Sequence, residues 1–139
     1  NFELGPFKPD PYLSDQVNRG AYLVDVIGHC GECHTPRNAV GGLQRDRWLS
    51  GNPGGPEGEQ VPNITPDRET GVGRWSDGDL DSLFRMGMTP EGDFVGGSMT
   101  EVIENSSGHL SESDLRAVIA YLRTLPPIRH KVESKKKGS

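Results

Sequence analysis

The sequence predicts an all-α fold of four or five helices joined by long loops rich in glycine and proline. One observation is a stripe of apolar residues at helical spacing near the end of the chain: Leu115, Val118, Ile119, Leu122 and Leu125. A second is a set of serines that are suitable N-caps for predicted helices: Ser14, Ser76 and Ser111. A third is the presence of 19 Gly and 11 Pro among 139 residues, which limits the regular structure to short segments.

The first predicted helix spans about residues 15–28 and begins after Ser14. Before it, three prolines favour an extended N-terminal arm or linker over residues 1–13. Gly20 lies in the middle of the helix, where a glycine costs about 1 kcal/mol relative to alanine. We therefore expect Gly20 to permit the close approach of another helix.

Three further helices are predicted in the second half of the chain. One begins after Ser76, has acidic residues in its first turn and ends at Gly87. A short one spans about 99–105. The last begins at Ser111, which forms a capping-box pattern with Asp114, and Pro126-Pro127 ends it. We expect the last helix to pack on the first.

The chemistry is concentrated in the stretch Cys30-Gly31-Glu32-Cys33-His34. Cys-x-x-Cys-His is the pattern of covalent c-type haem attachment. Residues three apart lie on one face of a helical turn, so both thiols can reach the vinyl groups of one haem. His34 can then bind the iron as an axial ligand. Cys30 and Cys33 are the only cysteines in the chain.

Other uses of this motif fit the sequence less well. A redox-active thiol pair is expected next to a βαβ pattern, but glycine- and proline-rich chain follows here. A zinc site needs further ligands at matched spacing, whereas His29, His109 and His130 are scattered singly. A disulfide between residues three apart would restrain little of the chain.

The second axial ligand is expected to be a methionine, which suits electron transfer. Met86 lies on a predicted helix, where we expect it to fill the core. Met88 lies just beyond that helix and stays a candidate. Met99 is favoured because it follows a Gly-Gly-Ser run that lets the backbone pass close to the haem face. His109 would instead give a bis-histidine site of low potential.

Residues 35–74 form the least regular part of the sequence, and a loop this long is usually functional. Wrapping around the edge of a cofactor would explain it. The hydrogen-bond donors in and just after this loop are candidates for haem-propionate or haem-pocket contacts: Arg37, Trp48, Asn63, Arg74 and Trp75.

The composition excludes several classes of function. The formal net charge is −5. Because four lysines and one glutamate lie in 131–139, residues 1–130 carry −8, which argues against nucleic-acid binding. No run of about 20 apolar residues suggests a membrane span. Residues 131–139 are expected to be a disordered basic tail or an expression remnant, which leaves 14–130 as one haem domain.

Several blocks together identify a family resemblance over about residues 17–128. The chain resembles class I c-type cytochrome domains and is similar to the haem domains of bacterial alcohol-dehydrogenase-type cytochrome c subunits. The blocks are Arg19-Gly20-Ala21-Tyr22-Leu23, His29 to Arg37, Pro62-Asn63-Ile64-Thr65-Pro66-Asp67, Gly71 to Ser76, Gly97 to Val102 and Tyr121 to Pro127. The resemblance implies an all-α fold around one covalent haem, crossing first and last helices, and His/Met ligation with the methionine at Met99.

The sequence as a whole predicts an electron carrier and not an enzyme. We expect a periplasmic or exported cytochrome c with one haem, its signal peptide removed, because c-type haem is attached outside the cytoplasm. Its partners would be a dehydrogenase as donor and a terminal oxidase or reductase as acceptor. Two alternatives stay open: a haem enzyme or gas or peroxide sensor with an open axial position, and a haem domain tethered within a larger oxidoreductase.

Overall fold

The structure of the chain, a computed structural model, describes residues 7–132. Parts of the predicted arm over 1–13 and of the predicted tail over 131–139 lie outside the described residues. The described chain contains five α-helices and no strand beyond isolated bridge pairs, which confirms the all-α prediction. The helices are α1 (Asp15–Tyr22), α2 (Cys30–His34), α3 (Asp77–Met86), α4 (Ser98–Asn105) and α5 (Glu112–Thr124). Within 7–132, no helix is long and apolar enough to cross a bilayer.

The described residues divide into two compact units. We call residues 7–28 and 75–124 the helical unit, because they contain α1, α3, α4 and α5. Residues 29–74 and 125–132 form the loop unit, which contains α2 and two short 3₁₀ turns, Arg45–Arg47 and Pro56–Gly58. The domain boundaries expected from the sequence stay a prediction.

In the helical unit, α1 packs most extensively against α5. The Ser14 hydroxyl accepts a hydrogen bond from the Val17 amide at 3.1 Å and so caps α1. The helical path continues as a π-helix over Leu23–Ile27, so the predicted span 15–28 holds with a wider last turn. A Cβ atom on Gly20 would lie 2.0 Å from the Ala117 carbonyl oxygen. The absence of a side chain at Gly20 therefore allows the close approach expected from the sequence.

Two other helices of this unit, α3 and α5, begin at the predicted serine caps, and α3 ends at the predicted glycine. Ser76 and Asp79 form a reciprocal capping box at the start of α3, and Gly87, with φ of 75°, ends it. The Ser111 hydroxyl accepts a hydrogen bond from the Asp114 amide at 3.1 Å at the start of α5. Local hydrogen bonding therefore explains why these boundaries can be predicted from the sequence.

The loop unit is held together differently. Its buried apolar side chains are Leu49, Val61 and Val72. Its buried polar side chains are more numerous: His34, Thr35, Ser50, Asn52, Asn63 and Thr65. Burying polar groups is favourable only when they are hydrogen-bonded. The shape of this unit therefore depends on hydrogen bonds between loops.

Candidate haem-binding site

The Cys-x-x-Cys-His stretch forms the single helical turn α2 in the loop unit. It begins after His29, whose φ of 51° lies in the left-handed region. Cys30 and Cys33 are partly exposed, and no disulfide joins them. Two thiols three residues apart on one turn lie on the same side of that turn, which is the arrangement that two thioether bonds to one haem require.

His34 is buried, with 8% of its surface exposed, and its ring is oriented by the backbone. Its Nδ1 lies 2.8 Å from the Pro62 carbonyl oxygen. A carbonyl can only accept, so Nδ1 carries the proton and Nε2 keeps its lone pair. Burial lowers the pKa of His34, and the hydrogen bond to Pro62 opposes that shift. A neutral imidazole with a lone pair on Nε2 is the form that binds a metal, so the donor set at α2 fits a c-type haem iron.

The chain at the end of α2 is hydrogen-bonded to residues 49–51. The Gly51 amide donates to the His34 carbonyl oxygen at 2.6 Å, and the Leu49 amide donates to the Thr35 hydroxyl at 3.0 Å. Leu49 is fully buried although its φ of 62° is unusual for a leucine. The conformation of Leu49 is compensated by its burial and by the hydrogen bond that its amide donates to the Thr35 hydroxyl, so residues 34 and 35 are held at a defined place.

Trp48 packs directly against the haem motif. A Cβ atom on Gly31 would lie 2.1 Å from Cη2 of Trp48, so only a glycine leaves room for the indole there. The Arg45 guanidinium lies 5.3 Å from the centre of the Trp48 ring, on its face. The ring is therefore fixed between the motif and a cation.

The loop that supplies the Pro62 carbonyl is anchored by its neighbour Asn63, which is 3% exposed. The side-chain nitrogen Nδ2 of Asn63 donates to Thr70 Oγ1 at 3.1 Å, to the Ile128 carbonyl at 2.7 Å and to the His130 carbonyl at 3.3 Å. Its oxygen accepts from the amide and the hydroxyl of Thr65 at 2.9 and 2.7 Å. These bonds place the Pro62 carbonyl opposite the His34 ring.

The predicted propionate candidates have different partners in the structure. Trp48 contacts the motif, and Arg37 pairs with Glu32 inside it at 3.0 Å. The side-chain amide of Asn63 is hydrogen-bonded to the protein groups described above. Arg74 pairs with Glu69 at 3.0 Å, while Trp75 belongs to the helical unit. Contact of any of these residues with a haem propionate stays a prediction.

The methionines lie in the helical unit. The expectation that Met86 fills the core is wrong, because 56% of its surface is exposed. The buried stripe of α3 runs through Leu80, Leu83 and Phe84, and at 100° per residue Met86 falls outside it. Met88 and Met99 are both partly buried, and Met99 lies in the first turn of α4 after Gly97, whose φ is 60°. Met99 as iron ligand stays a prediction.

The histidines outside α2 do not form a metal site with other side chains. Between residues 7 and 132, no three side chains of His, Cys, Asp or Glu are grouped as a metal centre would need. His109 Nε2 lies 2.7 Å from the Glu104 carbonyl, and His130 Nδ1 lies 2.8 Å from the Ser50 carbonyl. The structure thus offers no support for the zinc alternative.

Sequence reasoning missed the groups that hold His34 in place. They are the Pro62 carbonyl, the Thr35 hydroxyl, the Gly51 amide and, through Ser50, the His130 ring. Most of these contacts use backbone atoms, which carry no residue signature. The signal in the sequence was the glycine at position 51, and the structure gives its reason, because a φ of 96° and a Cβ position only 2.4 Å from Val132 both require a glycine.

Comparison with known proteins places the chain among c-type cytochromes. No protein-family model matches the sequence. The chain is 46% identical over 117 residues to a diheme cytochrome c-type protein of Cereibacter sphaeroides, an alignment that covers 84% of the chain and 38% of the relative. It is 40% identical over 121 residues to the fructose dehydrogenase cytochrome subunit of Gluconobacter japonicus, covering 87% of the chain and 24% of the relative.

A third relative is the gluconate 2-dehydrogenase cytochrome c subunit of Pantoea cypripedii, which is 38% identical over 129 residues. That alignment covers 88% of the chain and 29% of the relative. The chain therefore spans less than two fifths of the length of each of these proteins. Taken with the all-α fold, these matches show that the chain is a c-type cytochrome domain of the class I fold, of the kind found in cytochrome subunits of bacterial dehydrogenases.

Proposed function

We propose that this chain transfers single electrons through one haem c bound covalently to Cys30 and Cys33, with His34 and Met99 as the axial ligands. The observation that carries the proposal is the state of the His34 ring. Its Nδ1 is committed to the Pro62 carbonyl at 2.8 Å, which leaves Nε2 for a metal. The two cysteines on the same turn supply the covalent anchor that the motif requires.

The chain contributes ligand geometry and exclusion of water. A bound haem iron supplies a one-electron ferric–ferrous couple. The Pro62 carbonyl holds the proton on Nδ1 and fixes the ring orientation, so Nε2 would be presented to a bound iron. Burial of His34 disfavours protonation of the ring, so protons compete poorly for Nε2. A ligand held in this way would need little rearrangement when the charge of a bound iron changes, which would favour fast electron transfer.

Met99 is proposed as the second ligand because of its position after Gly96-Gly97 at the start of α4. Glycines there allow a close approach of backbone to a flat cofactor. A thioether ligand raises the reduction potential relative to a second imidazole, which suits an electron carrier. Met88 and His109 are the alternatives that a ligand test must separate.

The donor is proposed to be a dehydrogenase acting in the periplasm, with the haem domain operating as part of a larger oxidoreductase. Two of the relatives are named as cytochrome subunits of fructose dehydrogenase and of gluconate 2-dehydrogenase, which supports this partner class. The chain covers only part of each relative, which supports the tethered arrangement over a separate carrier. The negative net charge of −5 would favour a basic docking surface on the donor or acceptor.

The first test is covalent attachment. In denaturing mass spectrometry of protein matured with haem, we expect one haem adduct that survives unfolding. The double variant Cys30→Ser/Cys33→Ser should lose it. A wild-type protein whose mass includes no haem would contradict the proposed covalent attachment, on which the rest of the proposal depends.

The ligand test uses visible spectra of the oxidised and reduced protein with and without carbon monoxide. We expect a low-spin spectrum with the weak sulfur-to-iron band at its red edge, unchanged by carbon monoxide. Met99→Ala should lose that band and bind carbon monoxide, whereas the exposed Met86→Ala should do neither. A wild-type spectrum shifted by carbon monoxide would favour the enzyme or sensor alternative, and a band retained in Met99→Ala would exclude Met99.

A further inference from the structure

Within the loop unit, the segment 125–132 after α5 is hydrogen-bonded to the loops of 29–74, and His130 makes several of these bonds. Its amide donates to Thr70 Oγ1 at 2.9 Å, and its carbonyl accepts from the Asn63 side chain at 3.3 Å. Its ring Nδ1 lies 2.8 Å from the Ser50 carbonyl, which can only accept, so Nδ1 is the donor. The backbone and the ring of His130 are thus bonded to three separate positions of the loop unit.

The bond to Ser50 matters because of what the same peptide group does at its other end. The Ser50 carbonyl and the Gly51 amide belong to one planar unit. The Gly51 amide donates to the His34 carbonyl at 2.6 Å. A donor on the peptide oxygen polarises the peptide and strengthens its N–H as a donor. A continuous hydrogen-bond relay therefore runs from the His130 ring through the 50–51 peptide to His34.

Packing at Gly51 ties the same segment to the same peptide. A Cβ atom on Gly51 would lie 2.4 Å from Val132 Cγ2 and 2.8 Å from the backbone nitrogen of Asn63. Ser50 and Gly51 are both buried, so water cannot replace the ring as a donor to this peptide at low cost. Removing the His130 ring would leave the buried Ser50 carbonyl without this donor.

We propose that His130 is a positioning residue for the axial ligand His34, acting through the 50–51 peptide. The proposal rests on the proposed ligation of iron by His34. By holding the His34 carbonyl, the relay keeps residue 34 at the depth where its Nδ1 meets the Pro62 carbonyl. That bond makes the imidazole a more basic ligand, which favours the ferric state. Loss of the relay should weaken the bond and shift the couple toward the ferrous state.

The experiment compares three variants of the haem-loaded protein. His130→Ala removes the ring donor. His130→Asn keeps a side-chain N–H near the position of Nδ1. Ser107→Ala is the matched control, because it deletes a side-chain donor that also bonds a backbone carbonyl, that of Phe84 at 2.7 Å, but in the helical unit. Two quantities are measured for each: the exchange rate of the Gly51 amide hydrogen and the reduction potential.

We expect His130→Ala to speed Gly51 exchange by about five- to tenfold, as for loss of one buried hydrogen bond. At a fixed electrode potential the ratio of reduced to oxidised protein should rise by about two- to fivefold. His130→Asn should restore both values toward those of the wild type, and Ser107→Ala should change neither. If His130→Ala yields no haem-loaded protein, His130→Gln, which fills similar space with its donor displaced, takes its place.

Three results would overturn the proposal. Unchanged Gly51 exchange in His130→Ala would mean that the relay does not exist. Faster exchange with an unchanged potential would leave His130 with a structural role only, and a Ser107→Ala shift of equal size would show that the effect is unspecific. Failure of the proposed function looks different: His34→Ala would then keep the wild-type low-spin spectrum, while Gly51 exchange would still report on the relay.

Discussion

The helical unit and the loop unit bury opposite kinds of side chain. Of the sixteen buried hydrophobic residues in the described chain, thirteen lie in the helical unit, and the loop unit holds Leu49, Val61 and Val72. Of the buried polar residues, only Ser107 lies in the helical unit. The helical unit is therefore stabilised mainly by apolar burial between helices, and the loop unit by hydrogen bonds that bring distant loops to defined positions.

This contrast explains where the haem motif sits. Apolar packing tolerates small shifts, because a side chain of similar volume can repack. A hydrogen-bond network tolerates them less, because its donors and acceptors have required positions and directions. An axial ligand must be held within a fraction of an ångström. The loop unit, which contains α2, has the interactions suited to that task.

The largest expected effect tests the apolar side of the comparison. Leu115 in α5 is fully buried. Leu115→Ala should lower the free energy of unfolding by about 4 kcal/mol, through lost burial and a cavity. Leu115→Met, which keeps the volume, should cost less than about 1.5 kcal/mol. Denaturant unfolding measures both, and equal losses in the two variants would contradict the importance of volume in this unit.

Asn63 tests the hydrogen-bond network of the loop unit. Here a substitution that keeps the size of the side chain should be strongly destabilising, unlike Leu115→Met. Asn63→Asp keeps the shape but removes the donors to Thr70 and to the Ile128 carbonyl. It should lower the free energy of unfolding by about 3 kcal/mol, because buried acceptors lose their partners and a charge is buried. Asn38→Asp is the control, since Asn38 is exposed and its oxygen accepts from the Val40 and Gly42 amides in a surface turn.

The two tryptophans allow each unit to be followed separately. Trp48 lies in the loop unit and Trp75 in the helical unit. In single-tryptophan backgrounds made with Trp75→Phe or Trp48→Phe, fluorescence reports unfolding of one unit at a time. Asn63→Asp should shift the Trp48 transition at least as much as the Trp75 transition. A shift confined to Trp75 would contradict the assignment of this network to the loop unit.

A smaller effect is expected at a helix cap. The Ser76 hydroxyl accepts from the Asp79 amide at 3.0 Å. Ser76→Ala should lower the free energy of unfolding by about 1 kcal/mol, whereas Ser76→Asp, which keeps an acceptor, should stay within about 0.5 kcal/mol of the wild type. Thermal unfolding followed by circular dichroism is sufficient. Equal losses for the two variants would mean that capping does not stabilise α3.

The smallest predictions concern acid and salt, and they compare one carboxylate from each unit. Hydrogen bonds from the hydroxyl and the amide of Thr70 hold the pKa of Asp67 below its usual value. A hydrogen bond and charge attraction from Arg19 do the same for the pKa of Asp114. A lowered folded-state pKa stabilises the fold above the unfolded pKa of about 3.9, and that stability is lost as the pH falls through the folded pKa.

Asp67→Asn and Asp114→Asn should therefore each flatten the loss of stability between about pH 5 and pH 3. High salt should reduce the effect of Asp114→Asn, because its main partner is a cation that is half exposed. It should leave the effect of Asp67→Asn nearly unchanged, because the main partners there are neutral groups. Acid titrations of unfolding at low and high salt measure both, and identical salt responses would contradict this distinction.

The helical unit was largely predictable from the sequence. Serine caps, a terminal glycine, the Gly20 contact and the stripe of α5 are local or periodic signals, and each corresponds to an observed feature. Met86 was the exception, because an apolar residue on a helix need not belong to its buried stripe. The conformation of residues 35–74 could not be predicted, because loops without a period have no such signal.

The sequence by itself determined the all-α class and the capped helix boundaries and predicted the chemistry of α2, because capping, periodicity and cysteine spacing act over a few neighbouring residues. Only the tertiary structure decided how His34 is held. Its ring meets a carbonyl 28 residues away, and the peptide that holds its backbone meets a histidine 80 residues beyond Ser50. Each of these contacts joins a histidine ring to a backbone carbonyl in a distant part of the chain, and backbone carbonyls are the same in every residue.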